Sequence, residues 1–306
     1  MTKYKSIFVV LIFLFSFNLV FGATTEKEFK KIIDFREGGR VYLKNVNGNI
    51  DVKSWGREEV EVIANIKVKA GSMDDAEDFL EKVEINVDKS IDEIEIEVDY
   101  PKREGKGFWD IFFGWGKPSV SISFLLNVPK ITNLDMNTTN GKVKVYDIEG
   151  KVYSNSTNGS INVEKVIGDA ELKTTNGSIL ASNVKGDINA KTTNGKVNLK
   201  GIIGNVSAKS TNGEIHSQII EIDVAIEMNF KTTNGSIEVS LPSGIDADLD
   251  ASTTNGKISS EFPVVVQGEI NKRHITGKIN NGGPLIYIRT TNGSIKVSES
   301  EKSEHL

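Results

Sequence analysis

The sequence contains no cysteine among its 306 residues. Without thiols there are no disulfide staples and no lipid anchor through an N-terminal cysteine, so backbone ladders and packing must hold the fold together. Histidine is scarce too. His216, His274 and His305 are scattered, and with no cysteine beside them they do not make a grouped metal-ligand set. No cofactor and no metal is expected. Positive charge is not in excess: the formal charge of −5 argues against nucleic acid as a general partner. Past the first residues, no apolar run is long enough to span a bilayer.

Those first residues read as a targeting signal. Lys3 and Lys5 precede an apolar run from Ile7 through Phe15, and the small residues Gly22 and Ala23 follow. This assigns residues 1–23 to a signal peptide, cleaved just after Gly22 or Ala23. An uncleaved anchor is the alternative, but stretch 7–21 carries Ser16 and Asn18 and is shorter than the roughly 20 residues a span requires. Removing Lys3 and Lys5 takes the charge from −5 to about −7. The expected location is exported: periplasmic, cell-surface or secreted.

Residues 24–133 read as a strand-rich N-terminal cap with one helix and an aromatic loop. Val41, Leu43, Ile50 and Val52 alternate with polar residues around Asn47-Gly48, which predicts strand, tight turn, strand, and a degenerate first copy of the repeat found downstream. A second alternating run follows at Val60, Val62, Ala64, Ile66 and Val68. Ser72 is placed as an N-cap, with Asp74 and Asp75 in the first turn and Ala76, Phe79, Leu80 and Val83 at helical spacing. This predicts a capping helix over about 73–83. Strands are expected at 84–88 and 91–98, the latter with Ile91, Ile94, Ile96 and Val98. Then comes an aromatic segment with Phe108, Trp109, Phe112, Phe113 and Trp115, next to Lys102, Arg103 and Lys106. Two readings stay open for it: a tip that enters a bilayer interface or a partner's pocket, or a loop folded back with its rings buried.

From residue 134 to 298 the chain is organised by Thr-Thr-Asn-Gly, or Ser-Thr-Asn-Gly. Its asparagines are Asn140, Asn158, Asn176, Asn194, Asn212, Asn234, Asn255 and Asn292, the first five of them 18 residues apart. A fixed period of this length means stacked equivalent units. In the coil from Gly159 to Asn176, Ile161 and Val163 alternate with polar residues. Val166 turns inward across an expected corner, and Ala170, Leu172 and Thr174 resume the alternation. A second glycine recurs at Gly150, Gly168, Gly186 and Gly204, so each coil has two strands and two glycine-marked corners. The expected fold is all-β: a parallel β-solenoid, a single-stranded β-helix of about 18–22 residues per coil, right-handed by preference. Eight or nine coils about 4.8 Å apart would make a body on the order of 40 Å long. The hexapeptide left-handed variant is rejected, because its series Ile161, Ile167, Lys173 loses the aliphatic residue at the third member.

Parity places each Asn and the Ser/Thr two before it inward, with the asparagines stacked as a corner amide ladder and the Thr between facing out. The next Gly is expected to supply a positive φ. A degenerate copy is read at Thr276-Gly277-Lys278-Ile279, and residues 299–306 form a polar tail.

These motifs carry a resemblance. Asn47-Gly48-Asn49-Ile50-Asp51-Val52, the repeated Thr-Asn-Gly-(Ser/Lys)-(Ile/Val), Leu241-Pro242-Ser243-Gly244 and Arg289-Thr290-Thr291-Asn292-Gly293-Ser294-Ile295 resemble the bacterial putative-adhesin family, a β-strand-repeat domain of unknown function. The resemblance covers roughly 35–297. It implies a parallel β-solenoid on an exported or envelope protein, and no catalytic residues come with it. The aromatic segment around Trp109 departs from the simple pattern.

An enzyme of the β-helical polysaccharide-active kind needs clustered carboxylates. The outward positions after Asn-Gly are Lys142, Ser160, Ser178, Lys196, Glu214, Ser236, Lys257 and Ser294, with no carboxylates on consecutive coils. The outward threonines Thr139, Thr157, Thr175, Thr193 and Thr211 suggest an ice-binding face. The adjacent column Asn137, Asn155, Lys173, Lys191 and Lys209 is charged, so the face is read as solvated β-surface. The expected function is a non-catalytic structural or adhesin-like interaction module at the cell envelope. Its partner would be a protein, a glycan or a membrane surface, and a polysaccharide-active enzyme or glycan-binding protein is the alternative.

Overall fold

The computed structural model describes residues 22–101, 118–222, 227–266 and 272–300. The expected signal segment up to Phe21, the aromatic residues Phe108, Trp109, Phe112, Phe113 and Trp115, and the tail from Glu301 lie outside the described residues. The chain divides into two compact units, 1–141 and 142–306.

In the first unit the strands are β1 (Ala23–Asp34), β2 (Arg40–Lys44), β3 (Ile50–Trp55) and β4 (Glu59–Ala70). Helix α1 (Met73–Leu80) follows, then β5 (Glu84–Lys89), β6 (Glu93–Asp99), β7 (Ser119–Pro129) and β8 (Asn133–Thr138). One sheet runs β1-β4-β7-β3 and the other β5-β6-β2-β8. β2 and β3 therefore do not form the expected hairpin. Asn47-Gly48 is a corner joining two sheets, because an alternating pair with one buried face each can close a core only when the two faces oppose. The β2–β3 coil is also flanked on both sides: β6 and β7 lie beside it on one side and β8 on the other. Antiparallel β4 and β1 cover β7, and antiparallel β5 covers β6. The helix ends at Leu80, three residues early, and buries Ala76, Phe79 and Leu80 against β1 and β4. The Ser72 hydroxyl accepts from Asp75 N–H at 3.2 Å. Ile91 is not in a strand; it is 86% exposed at the turn before β6.

The second unit begins with β9 (Val143–Glu149), β10 (Val152–Ser156), β11 (Ile161–Ile167), β12 (Ala170–Thr174), β13 (Ile179–Lys185) and β14 (Ile188–Lys191). It continues with β15 (Val197–Ile203), β16 (Val206–Lys209), β17 (Ile215–Glu221), β18 (Met228–Lys231) and β19 (Ile237–Leu241). Last come β20 (Ala247–Asn255), β21 (Ile258–Ser260), β22 (Val264–Val266), β23 (His274–Ile279), β24 (Leu285–Asn292) and β25 (Ile295–Glu299). Within this unit, sheet I runs β9-β11-β13-β15-β17-β19-β25-β21, and sheet II runs β10-β12-β14-β16-β18-β24-β20-β23-β22. The core lies between them. Val143, Ile161, Ile179, Val197, Ile215, Ile237 and Ile295 form one buried column from sheet I, while Val152, Ala170, Ile188, Val206, Met228 and Ile286 face it from sheet II.

Two details depart from expectation. The inward step at Val166 is no corner but a bulge within one strand: Asp147, Lys165, Asn183 and Gly201 take φ of 59°, 56°, 54° and 66° at equivalent positions. The last coils are also out of sequence order. β24 and β25 insert between β18/β19 and β20/β21, and β23 pairs antiparallel with both β20 and β22. The Thr276-Gly277 copy is thus an antiparallel closure of the stack, not a further coil.

Candidate interaction surface

Each residue of Thr-Thr-Asn-Gly does a different job. The first threonine is buried, and its hydroxyl donates to the carbonyl of the corner glycine in the neighbouring coil. Thr174 reaches Gly159 at 2.9 Å, Thr192 reaches Gly177 at 2.8 Å, Ser210 reaches Gly195 at 3.1 Å and Thr232 reaches Gly213 at 2.9 Å. The second threonine faces solvent, and its carbonyl accepts the next coil's Asn N–H, as from Asn194 to Thr175 at 2.8 Å. The asparagine side chains stack Nδ2–H to Oδ1. In the second unit the ladder runs Asn158, Asn176, Asn194, Asn212, Asn234, Asn292, Asn255, with steps of 2.7 or 2.8 Å. In the first unit Asn140 donates to Asn47 at 2.6 Å.

The asparagines do not point inward as parity required. Asn140 is half-buried and the other seven are exposed, because strand alternation stops at the corner and both Thr175 and Asn176 swing out. The corner glycines of the second unit do not take positive φ either. They are glycine because the neighbouring coil leaves no room: a Cβ on Gly195 would lie 2.0 Å from the Gly177 carbonyl oxygen. Positive φ belongs to the opposite corner, where Gly168, Gly186 and Gly204 take 141°, 147° and 139°.

The corners fix every coil in register, and the outer face of sheet II is therefore periodic. Lys173 pairs with Lys191, Lys191 with Lys209, Lys209 with Lys231 and Lys231 with Arg289, as direct Cα partners. Five cations stand in one column, about 4.8 Å from strand to strand. Among the described residues only the ends are engaged: Lys173 bonds Glu171 and lies over the Tyr153 ring, and Arg289 donates to Tyr287 at 3.1 Å. The Glu171 hydrogen bond raises the Lys173 pKa, and the Tyr287 hydroxyl raises that of Arg289. Lys191, Lys209 and Lys231 have Asn189, Ser207 and Asn229 two residues before them on the same face, and make no ion pair among the described residues. Neighbouring unit charges at this spacing repel by somewhat under 1 kcal/mol in water, less in salt.

On the other side of the cation column, toward the Gly168 corner, lies an open groove of about 460 Å³, lined in part by Lys151, Tyr153, Asp169, Glu171, Asp187 and Glu227. Asp169 and Asp187 follow the second glycine of successive coils, so carboxylates do stack, at the corner opposite Asn-Gly. Their signal was the Gly-Asp pair repeated at Gly168-Asp169 and Gly186-Asp187. Both cap the backbone: Asp169 Oδ1 accepts from Asp187 N–H at 3.2 Å, and Asp187 Oδ1 from Asn205 N–H at 2.9 Å. Side chains Asp169 and Glu171 are 58% and 43% exposed.

Sheet I treats its charges differently. Lys196 meets Glu214 at 2.7 Å, His216 meets Glu238 at 3.2 Å, and Lys296 lies 3.4 Å from both Glu238 and Glu261. The Lys196 hydrogen bond holds the Glu214 carboxyl below its usual range. Among the described residues, no group of three or more His, Asp and Glu could hold a metal ion. Nor is any described helix long and apolar enough to cross a membrane.

Among solved structures, the chain is similar to a putative cell adhesion protein from Clostridium sporogenes, with 14% identity, 90% of this chain and 99% of that one covered, and a TM-score of 0.29. It is similar to putative adhesins from Bacteroides fragilis and Parabacteroides distasonis, each 11% identical over 89% of this chain and 97% of that one, with TM-scores of 0.35 and 0.36. Those TM-scores are too low to carry weight. No curated protein matches. The strand ladders themselves define a β-solenoid, and a family match spans residues 30–298: the chain belongs to the Toastrack DUF4097 family.

Proposed function

We propose that the chain is an exported, non-catalytic, adhesin-like interaction module of the cell envelope, and that the outer face of sheet II is its contact surface. The observation that carries this reading is the in-register column Lys173, Lys191, Lys209, Lys231 and Arg289. Opposed like charges destabilise a sheet. A run of them with three members unpaired among the described residues serves a partner better than it serves the fold. The targeting signal read at residues 1–23 supports export.

A polysaccharide-active enzyme is the second reading, favoured by Tyr153 beside Asp169, Glu171 and Asp187 in the groove. A glycosidic general acid must keep its proton near neutral pH, which burial provides. The exposure of Asp169 and Glu171 and the capping role of Asp187 favour the non-catalytic reading instead. A second contact is proposed at Phe108, Trp109, Phe112, Phe113 and Trp115, since the chain leaves β6 and enters β7 across a much longer connection than the corner Asn47-Gly48.

Fractionation of cells carrying the full chain tests the proposal. The chain is expected with the envelope, released by salt and weakened in retention by the triple variant K191N/K209N/K231N. A cytosolic chain, or retention unchanged by that variant, would refute it. Turnover of any polysaccharide by the purified protein would overturn the non-catalytic reading.

A further inference from the structure

The column on sheet II is not demanded by the fold. The position before Lys173 in the stack is Asn155, and the one beyond Arg289 is Ser252, so the same backbone site accepts neutral residues at both ends. Between them five consecutive coils carry a cation. Beside the three middle lysines the flanking columns offer uncharged hydrogen-bonding groups, while Glu171 stands beside Lys173, Tyr287 beside Arg289, and Asp187 and Glu227 one column further out. Asn189, Ser207 and Asn229 lie on one side, and the exposed Thr175, Thr193, Thr211, Thr233 and Thr291 on the other. The surface is therefore a straight cationic line, about 19 Å from first to last strand at about 4.8 Å per step, edged by hydroxyls and amides.

A partner that satisfies every step must repeat its negative charge along a line with the same period and bring hydroxyls beside it. Nucleic acid does not: a stacked strand advances about 3.4 Å per phosphate and drifts out of register within a few coils. An extended 1,4-linked chain of uronic acid keeps register, because one pyranose ring advances by close to one strand spacing; successive rings turn over, so a carboxylate returns to the same side at every second coil and the lysines between reach around the chain. Its ring hydroxyls then fall opposite the threonine and Asn/Ser columns. Lysine, a point charge on a flexible stem, follows such a chain without demanding one carboxylate orientation.

We propose that the ladder Lys173, Lys191, Lys209, Lys231 and Arg289 binds a linear acidic polysaccharide laid along the stack, its sugar carboxylates meeting the cations of successive coils. This rests on the reading of the outer face of sheet II as the contact surface, and names what it contacts. The uncharged groups beside the three middle lysines supply polar contacts, and the cations supply most of the affinity and its salt dependence.

The test is affinity electrophoresis and calorimetry of the full chain with polygalacturonate at low ionic strength. Fully methyl-esterified polygalacturonate, inorganic polyphosphate and single-stranded DNA are the comparison probes. Polygalacturonate is expected to bind most tightly and the esterified polymer to bind at least about ten-fold more weakly. The triple variant K191N/K209N/K231N should lower the slope of log affinity against log salt by about 2 to 3, as loss of three neutralised charges requires. The variant K191R/K209R/K231R, which keeps charge, should bind like the parent and controls for folding. Equal binding of the esterified polymer, equal or tighter binding of polyphosphate or DNA, or an unaffected triple variant overturns the proposal. If the triple variant loses envelope retention while polygalacturonate fails to bind, the contact surface stands and only the polysaccharide falls. If it loses neither, both fall.

Discussion

Along the outside of sheet I, Lys196 sits 2.7 Å from Glu214 where the chain enters β15 and β17, and Lys296 bridges Glu238 and Glu261. On the outer face of sheet II, Lys191, Lys209 and Lys231 follow one another on adjacent strands with Asn189, Ser207 and Asn229 as their same-face neighbours. Both faces are made by the same coils, with the same interior and the same corners. The difference shows that the solenoid does not dictate surface chemistry: outward columns are free to vary, and what they carry is available for contact. A paired charge is complete by itself, whereas an unpaired column gains from a ligand.

The comparison can be broken at its root by separating the coils. Gly195→Ala puts a methyl carbon 2.0 Å from the Gly177 carbonyl oxygen, where only backbone movement can relieve it. It should cost about 3 kcal/mol or more, read by urea unfolding, and abolish the order of both faces together. Next in size is the inner tie. Thr192→Val removes the 2.8 Å hydrogen bond to Gly177 and should cost about 1 kcal/mol, leaving polygalacturonate binding by the folded protein unchanged. Asn194→Ala deletes two exposed ladder bonds, to Asn176 at 2.7 Å and from Asn212 at 2.8 Å, and should cost about 0.5–1 kcal/mol in the same assay.

The smallest effects separate the faces most clearly, because they have opposite signs. Lys209→Ser should stabilise the fold by a few tenths of a kcal/mol by relieving repulsion, and Lys196→Ser should destabilise it by a similar amount. High salt should shrink both differences. The pH dependence follows the same division. Lys196 lowers the folded-state pKa of Glu214, so that pair stabilises above the carboxyl's unfolded pKa of about 4.3 and loses its effect as pH falls through the lowered folded value. A Lys196→Ser variant should converge with its parent in acid-unfolding curves below that range, while Lys209→Ser should keep its difference there. A difference between Lys196→Ser and its parent that stays the same from neutral pH into acid would show that it does not come from the ion pair.

Much of this architecture is legible in single residues. The period of the asparagines defines the coils, and Thr174 and Thr192 are buried where strand parity puts them. Parity failed at Asn176 because it holds only along a continuous strand, and the strand ends at Thr174. The reason for the corner glycines was not legible, because the atom that excludes a Cβ belongs to another coil. The groove carboxylates Asp169 and Asp187 were present in the sequence as a repeated Gly-Asp pair. Their proximity follows from the 18-residue spacing, which stacks that corner as it stacks the Asn-Gly one.

The sequence by itself determined the coil: two short strands, their inward columns with the buried Ser/Thr, and the two glycine corners. Those features depend on alternation and local turn geometry, which a chain carries with it. The tertiary structure alone decided the order of the coils. Asn292 stacks between Asn234 and Asn255, and Arg289 thereby joins Lys231 at the end of the cationic column. Near-identical coils present near-identical edges, so sequence proximity does not choose their neighbours. The choice falls to the antiparallel strands β22 and β23, which cover β20 and close the stack, leaving the place beside β18 and β19 for the last coil in the chain.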